Sequence, residues 1–257
     1  MATTANSSGK AANRQPDTIL IWSALLFAAA LAWFFTIQDA LMMGNMPGTM
    51  GMSLPAFIIM WTIMMAAMML PSLAPVAALY LQILARQSSG LVRCMRTTGF
   101  VAGYLLVWAL AGLIGYGIAW GINLLLRESP AVMLWTTALI LFLCGVYQFT
   151  PLKDVCLKHC RSPLGFLFHF GNYNGKLRDL QIGMYHGSFC TGCCAGLMIV
   201  MVFAGVMNIT WMVAMALIIF IEKIWRYGKE FSRLVGILLM TTGAMLPWHP
   251  YLLKDLI

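Results

Sequence analysis

The chain has 257 residues, of which 61% are hydrophobic and only 9% charged, with a mean hydropathy of +0.84. Soluble domains carry roughly 25% charged residues, so a water-soluble globular protein is excluded. Apolar runs of about 20 residues, the length a helix needs to cross a hydrocarbon layer, mark a polytopic membrane protein bathed in lipid. The net charge of +8 is spread between those runs rather than gathered in one patch, which excludes nucleic acid as a partner and leaves the basic residues to set topology.

In chain order, residues 1–18 are polar and small and are expected to form a disordered cytoplasmic tail. Residues 19–257 then form a single integral membrane domain. The first apolar run, 19–37, is too long for a signal h-region and is read as a retained helix. An outward segment rich in Met follows, then a run over 54–84 with Pro71 and Pro75 inside it, which predicts a kink in one long helix. Further helices are expected over 99–126, 131–149, 182–207, 210–227 and 231–246. A long loop over 151–180 separates the fourth from the fifth. With the N-terminus inside, all of the 16 Lys and Arg except Arg127 and Lys254 fall on the inner side. The expected fold is therefore all-α, a polytopic transmembrane bundle of about seven spans with its N-terminus and the loop at 151–180 in the cytoplasm. Gly99-xxx-Gly103 and Gly117-xxx-Gly121 are spacings that let helices approach closely, either within the chain or in a homodimer.

Five of the seven Cys lie between positions 156 and 194: Cys156, Cys160, Cys190, Cys193 and Cys194. Three of the four His, namely His159, His169 and His186, lie there too. On a helix, His186, Cys190 and Cys194 share one face at i, i+4, i+8, with Cys193 at its edge. Cys156-Leu-Lys-His-Cys160 is a second compact set in the loop. Thiolates with imidazole suit soft ions, Cu(I) first, with Zn(II) or iron as alternatives. The spacings match neither a zinc finger nor a ferredoxin. The competing interpretation is that Cys packs well in apolar helices and that His159 caps a loop. Counting from 182 at 1.5 Å per residue, Cys194 lies about 18 Å deep. Cys156 and Cys160 are thus expected to join His186 and Cys190, with Cys193 and Cys194 as a deeper station, unless the apolar stretch 164–170 re-enters.

Met occurs 21 times. Met42, Met43, Met46, Met50 and Met52 crowd one outward segment, a candidate capture site for Cu(I) or, alternatively, flexible apolar anchors at an interface. Met60, Met64 and Met68 repeat at i, i+4, i+8 on the second helix, with Met65 and Met69 beside them. They are core filler or a relay between the outer Met and the inner Cys. Glu222 has Arg226 one turn on, which makes a salt bridge the default. Deeper in the membrane, Glu222 becomes a candidate proton or cation site.

No phosphate loop, His-Glu-x-x-His pair or Ser/His/Asp set stands out, so the sequence points away from an enzyme and offers no catalytic residues. Two rivals to soft-metal handling remain. One is a membrane thiol-disulfide oxidoreductase using Cys190 and Cys193 or Cys193 and Cys194. The other is a structural subunit of a larger membrane complex.

Six strings occur in order: Met64-Met-Ala-Ala-Met-Met-Leu-Pro71, Tyr147-Gln-Phe-Thr-Pro-Leu-Lys153, Cys156-Leu-Lys-His-Cys-Arg-Ser-Pro163, His186-Gly187 with Cys190-Thr-Gly-Cys-Cys194, Gly205-Val-Met-Asn208 with Trp211-Met212, and Glu222-Lys223. Together, over about residues 55 to 225, they resemble an uncharacterised bacterial family of predicted metal-binding integral membrane proteins. That family often has an aromatic residue after the paired Cys, where this chain has Ala195. The resemblance implies metal binding through Cys156, His159, Cys160, His186, Cys190, Cys193 and Cys194. The combined expectation is a multi-pass protein of the bacterial inner membrane that binds a soft transition metal for transfer or homeostasis. A metal chaperone or other membrane subunits would be its partners.

Overall fold

The computed structural model describes residues 15–43, 48–84, 90–125, 129–161, 175 and 177–249. Met46, His169, the stretch 164–170 and the tail up to residue 14 lie outside the described residues. So do Lys10, Arg14, Arg86, Arg127, Lys176 and Lys254 among the topology-setting basic residues.

The described residues form eight helices and no strand. They are α1 (Gln15–Met43), α2 (Leu54–Leu84), α3 (Gly90–Leu125), α4 (Pro130–Tyr147), α5 (Pro151–Arg161), α6 (Arg178–Phe203), α7 (Ile209–Ile224) and α8 (Gly228–Met245). α2 has the bounds its apolar run predicts, and it stays one continuous helix through Pro71 and Pro75. Ser72 Oγ donates to Met69 O at 2.9 Å beside the first proline. α1 and α3 start earlier than expected, at Gln15 and Gly90: the first turn of α1 is polar, and that of α3 has its apolar Leu91 and Val92 separated from the long apolar run by Arg93, Arg96 and two Thr. The clear departure is α5, a helix of 11 residues inside what the sequence suggested was loop.

Four helices (α1, α2, α3 and α6) are long and apolar enough to cross a membrane, and α4 with α5, bent by 60°, makes up to five. At 16 residues, α7 spans only about 24 Å. The outward faces are apolar: α1 buries Ile21, Leu25, Ala29, Ala32 and Ala40 against the bundle and leaves Phe27, Leu31, Phe34 and Phe35 exposed.

α6 is the hub, packed against α3, α4, α5 and α7. Its crossing with α3 is backbone on backbone. A Cβ on Gly103 would sit 2.1 Å from Leu180 O, and one on Gly183 would sit 2.0 Å from Phe100 O. The first small-residue motif is therefore used inside the chain, whereas Gly117 and Gly121 meet nothing within 4 Å. Where α6 starts, Asp179 accepts from Arg96 Nε, shared by its two oxygens at 3.1 Å, from Arg96 NH2 at 3.0 Å and from the Tyr80 hydroxyl, tying α2, α3 and α6 at one end. Further along, Trp61 lies over Gly112 and Gly115 and donates through Nε1 to Trp108 O at 3.1 Å, so α2 and α3 are joined as well.

Candidate functional site

α5 forms for legible local reasons. Pro151 fits the first turn, Asp154 favours the positive N-terminal end, and Lys158 and Arg161 favour the negative C-terminal end. Lys153, Cys156, Leu157 and Cys160 fall at i, i+3, i+4, i+7 and are the residues the helix buries. The 60° bend after α4 lays this face against α6. Gly192 makes room for it: a Cβ there would stand 2.9 Å from Cys156 Sγ. Tyr147, at the end of α4, donates its hydroxyl to Gly192 O at 2.6 Å and fixes the same spot.

The close packing of α5 on α6 gathers sulfur. Cys160 Sγ lies 3.6 Å from Cys193 Sγ, and Cys193 Sγ lies 3.4 Å from Cys194 Sγ. Cys190, one turn earlier on α6, interacts with all three. All seven cysteines are free thiols, and only Cys94 is exposed. The expected division into an upper Cys156, Cys160, His186 and Cys190 set and a deeper Cys193 and Cys194 pair does not hold, because α5 descends far enough for Cys160 to reach Cys193. A tetrahedral ion with bonds of about 2.3 Å keeps neighbouring sulfurs about 3.8 Å apart. The thiols are therefore slightly closer than ligation requires. Cys193 Sγ hydrogen-bonds to Cys190 O at 3.1 Å. Among the described residues, no three His, Cys, Asp or Glu side chains already stand in ligating geometry.

Cys190 has two further neighbours that sequence inspection missed. The Tyr104 hydroxyl lies 3.0 Å from its sulfur, and Lys223 Nζ lies 3.0 Å from it on the α7 side. Lys223 also reaches Ser72 Oγ at 3.2 Å and Met69 Sδ at 3.8 Å. Three elements, α2, α6 and α7, thus meet at one ammonium.

Residues 58–246 match the PpoB2 family, described as copper chaperone. The chain belongs to that copper-chaperone family. The matched region contains α3 to α8 whole and all but the first residues of α2, and with them every side chain of the sulfur cluster. The expectation of a metal-related family is met at this level. No curated protein and no solved structure matches the chain.

For a copper-chaperone family, the placement of the remaining soft side chains matters. His186 is buried with its ring 5.9 Å from Tyr104 and 6.2 Å from Phe100, one turn before Cys190. His159 stands apart from the thiols, stacked 4.2 Å from Phe189 with Nδ1 2.9 Å from Val155 O. Met60, Met64, Met65, Met68 and Met69 are all buried, and Met69 touches the Lys223 ammonium. Met43, Met50 and Met52 pack partly buried against the core, while Met42 is exposed.

Glu222 is corrected. The salt bridge to Arg226 does not form, because α7 stops at Ile224 and the Arg226 guanidinium instead lies 4.9 Å over the Tyr227 ring. Glu222 is buried, and its two carboxylate oxygens accept from Lys153 Nζ at 3.0 and 2.9 Å. Lys153 also donates to Gln148 Oε1, which accepts in turn from Ser232 Oγ at 3.1 Å. This cluster clamps α5 to α7 beside the bend.

Proposed function

We propose that the chain is a multi-pass membrane copper chaperone that takes Cu(I) as cargo on the sulfur cluster and passes it to an acceptor protein. The observation that carries this reading is the approach of Cys160 on α5 to Cys193 on α6 at 3.6 Å between sulfurs, with Cys194 Sγ 3.4 Å from Cys193 Sγ on the same helix. Soft thiolates select a soft monovalent ion over the hard ions that dominate solution. Cys190 and His186 complete the inner donor set, Cys156 and His159 on α5 stand nearer its outer side, and no catalytic step is required of any of them.

The remaining parts follow the same logic. Met42, Met43, Met46, Met50 and Met52 form the capture site, where thioethers resist disulfide formation. Met60, Met64 and Met68 form a buried thioether column along α2. The apolar outward faces, four helices of spanning length and the distribution of Lys and Arg support a bacterial inner-membrane bundle of seven spans with the N-terminus in the cytoplasm. α7 and α8 complete that number as short spans with apolar outward faces, Leu217 and Phe220 on the one and Leu234 and Leu238 on the other.

Elemental analysis of protein purified anaerobically in mild detergent tests the reading, beside a variant with Cys160, Cys193 and Cys194 changed to Ser. Stoichiometric copper in the parent and none in the variant is the expected result. Zinc or iron in the parent would turn the cluster into a structural or redox centre. An intact-thiol protein that refuses added Cu(I) would end the proposal.

A further inference from the structure

One side of α5 carries Cys160 to the thiols, and another lines a groove against the first turn of α8. The groove is bounded by Asp154, Val155, Leu157, Lys158, Arg161 and Lys229. Its charges do not balance. Lys229 Nζ is paired with Asp154 at 2.7 Å, and both side chains stay partly open to the surroundings. Arg161 NH2 donates to the carbonyls of Trp225 and Arg226 at 2.6 and 3.2 Å, which hold the guanidinium without neutralising it. Lys158 is exposed between them. Three cations against one carboxylate leave a surplus of two, and the segment that follows α5 adds no Asp or Glu before Asp179.

The rim of the groove is apolar. Leu152, Val155 and Lys158 follow one another at i, i+3, i+6, and the first two are 60% and 50% exposed. Trp225 and Tyr227, on either side of Arg226, are half exposed as well. Basic heads, aromatic rings with polar tips and outward aliphatic side chains are what a protein presents at the boundary between headgroups and acyl chains. A guanidinium flanked by two ammonium groups matches a phosphodiester. We propose that the groove between α5 and α8 is a binding site for an anionic phospholipid, its phosphate on Lys158, Arg161 and Lys229 and an acyl chain along Val155 and Leu152. A soluble acidic protein would match the charge but has no use for the exposed aliphatic side chains. The site rests on the membrane placement above and not on the ion that the thiols hold. It lies on the back of the helix that carries Cys160, so a bound lipid braces α5 against α8 from outside.

The test uses the full chain in nanodiscs of equal phosphatidylglycerol and phosphatidylcholine, transferred to mild detergent and read for retained lipid by native mass spectrometry. The parent is expected to retain phosphatidylglycerol over phosphatidylcholine by at least about fivefold, since one Lys or Arg near an anionic surface is worth about that factor. Lys158→Gln, which leaves Arg161 and Lys229 in their bonds, is expected to lower the ratio about fivefold, and Lys158→Arg to leave it unchanged. Leu152→Gln with Val155→Gln is expected to weaken retention with every charge in place. Excess inorganic phosphate is expected to leave the lipid bound. Equal retention of the two lipids by the parent overturns the site and leaves the groove to an acidic protein surface. An unchanged ratio in Lys158→Gln overturns it too, and displacement by inorganic phosphate reduces it to an anion site without a lipid. Release of the chain from vesicles by alkaline carbonate would overturn the membrane placement itself.

Discussion

Lys153 and Glu222 are 69 residues apart in sequence and almost completely shielded from water where they meet. A buried pair of this kind is weak as a net stabiliser, but removing one partner strands the other charge, at a cost of about 3–5 kcal/mol. Lys153→Met should therefore destabilise the protein by roughly that amount in denaturant unfolding in detergent. Lys153→Met combined with Glu222→Leu should recover most of the loss. A double variant no more stable than the single one would show that the charge is not what the site depends on. Sequence alone offered Glu222 a partner only one turn away, because local spacing sees helix neighbours and is blind to what a bend brings in from another element. The grouping of the thiols Cys190, Cys193 and Cys194 was legible for the opposite reason: they sit within two turns of one helix, so bringing them together needs no tertiary knowledge. Tyr104 and Lys223, the side chains that give Cys190 its surroundings, carry no local mark at all.

At the scale of elements, the crossing of α3 and α6 depends on Gly103 and Gly183, where backbones meet without a Cβ between them. Gly103→Val should abolish a monodisperse folded species in size-exclusion chromatography, since backbone atoms cannot step aside. Gly117→Val, on a face with nothing within 4 Å, should elute as the parent does. Equal behaviour of the two would contradict the crossing. α2 was legible from end to end because its apolar run is bounded on both sides by breaks. α5 was not, since a search for long apolar runs passes over an 11-residue helix that buries a single stripe. Its signature is nonetheless written in Pro151, Asp154, the i, i+3, i+4, i+7 stripe and the closing basic turn.

At the scale of the whole molecule, six of the seven thiols lie within the bundle and Cys94, near the start of α3, is exposed. A membrane-impermeant maleimide should therefore modify one thiol per chain, and Cys94→Ser should remove it. With the proposed orientation, that labelling appears in inverted vesicles and is absent from right-side-out ones. Labelling from the opposite side would reverse the topology. The 60° bend after α4 has a mechanical consequence. Cys160 sits about ten residues, hence about 15 Å, from that elbow, so the bend angle sets how far its sulfur stands from Cys193 and Cys194 on α6. At that arm length a difference of about 10° in the bend corresponds to about 2.6 Å at the Cys160 end, most of the 3.6 Å that separates it from Cys193. That angle is held at both ends of α5, by Lys153 on Glu222 near the elbow and by Arg161 NH2 on Trp225 O at 2.6 Å and Arg226 O at 3.2 Å at the far end.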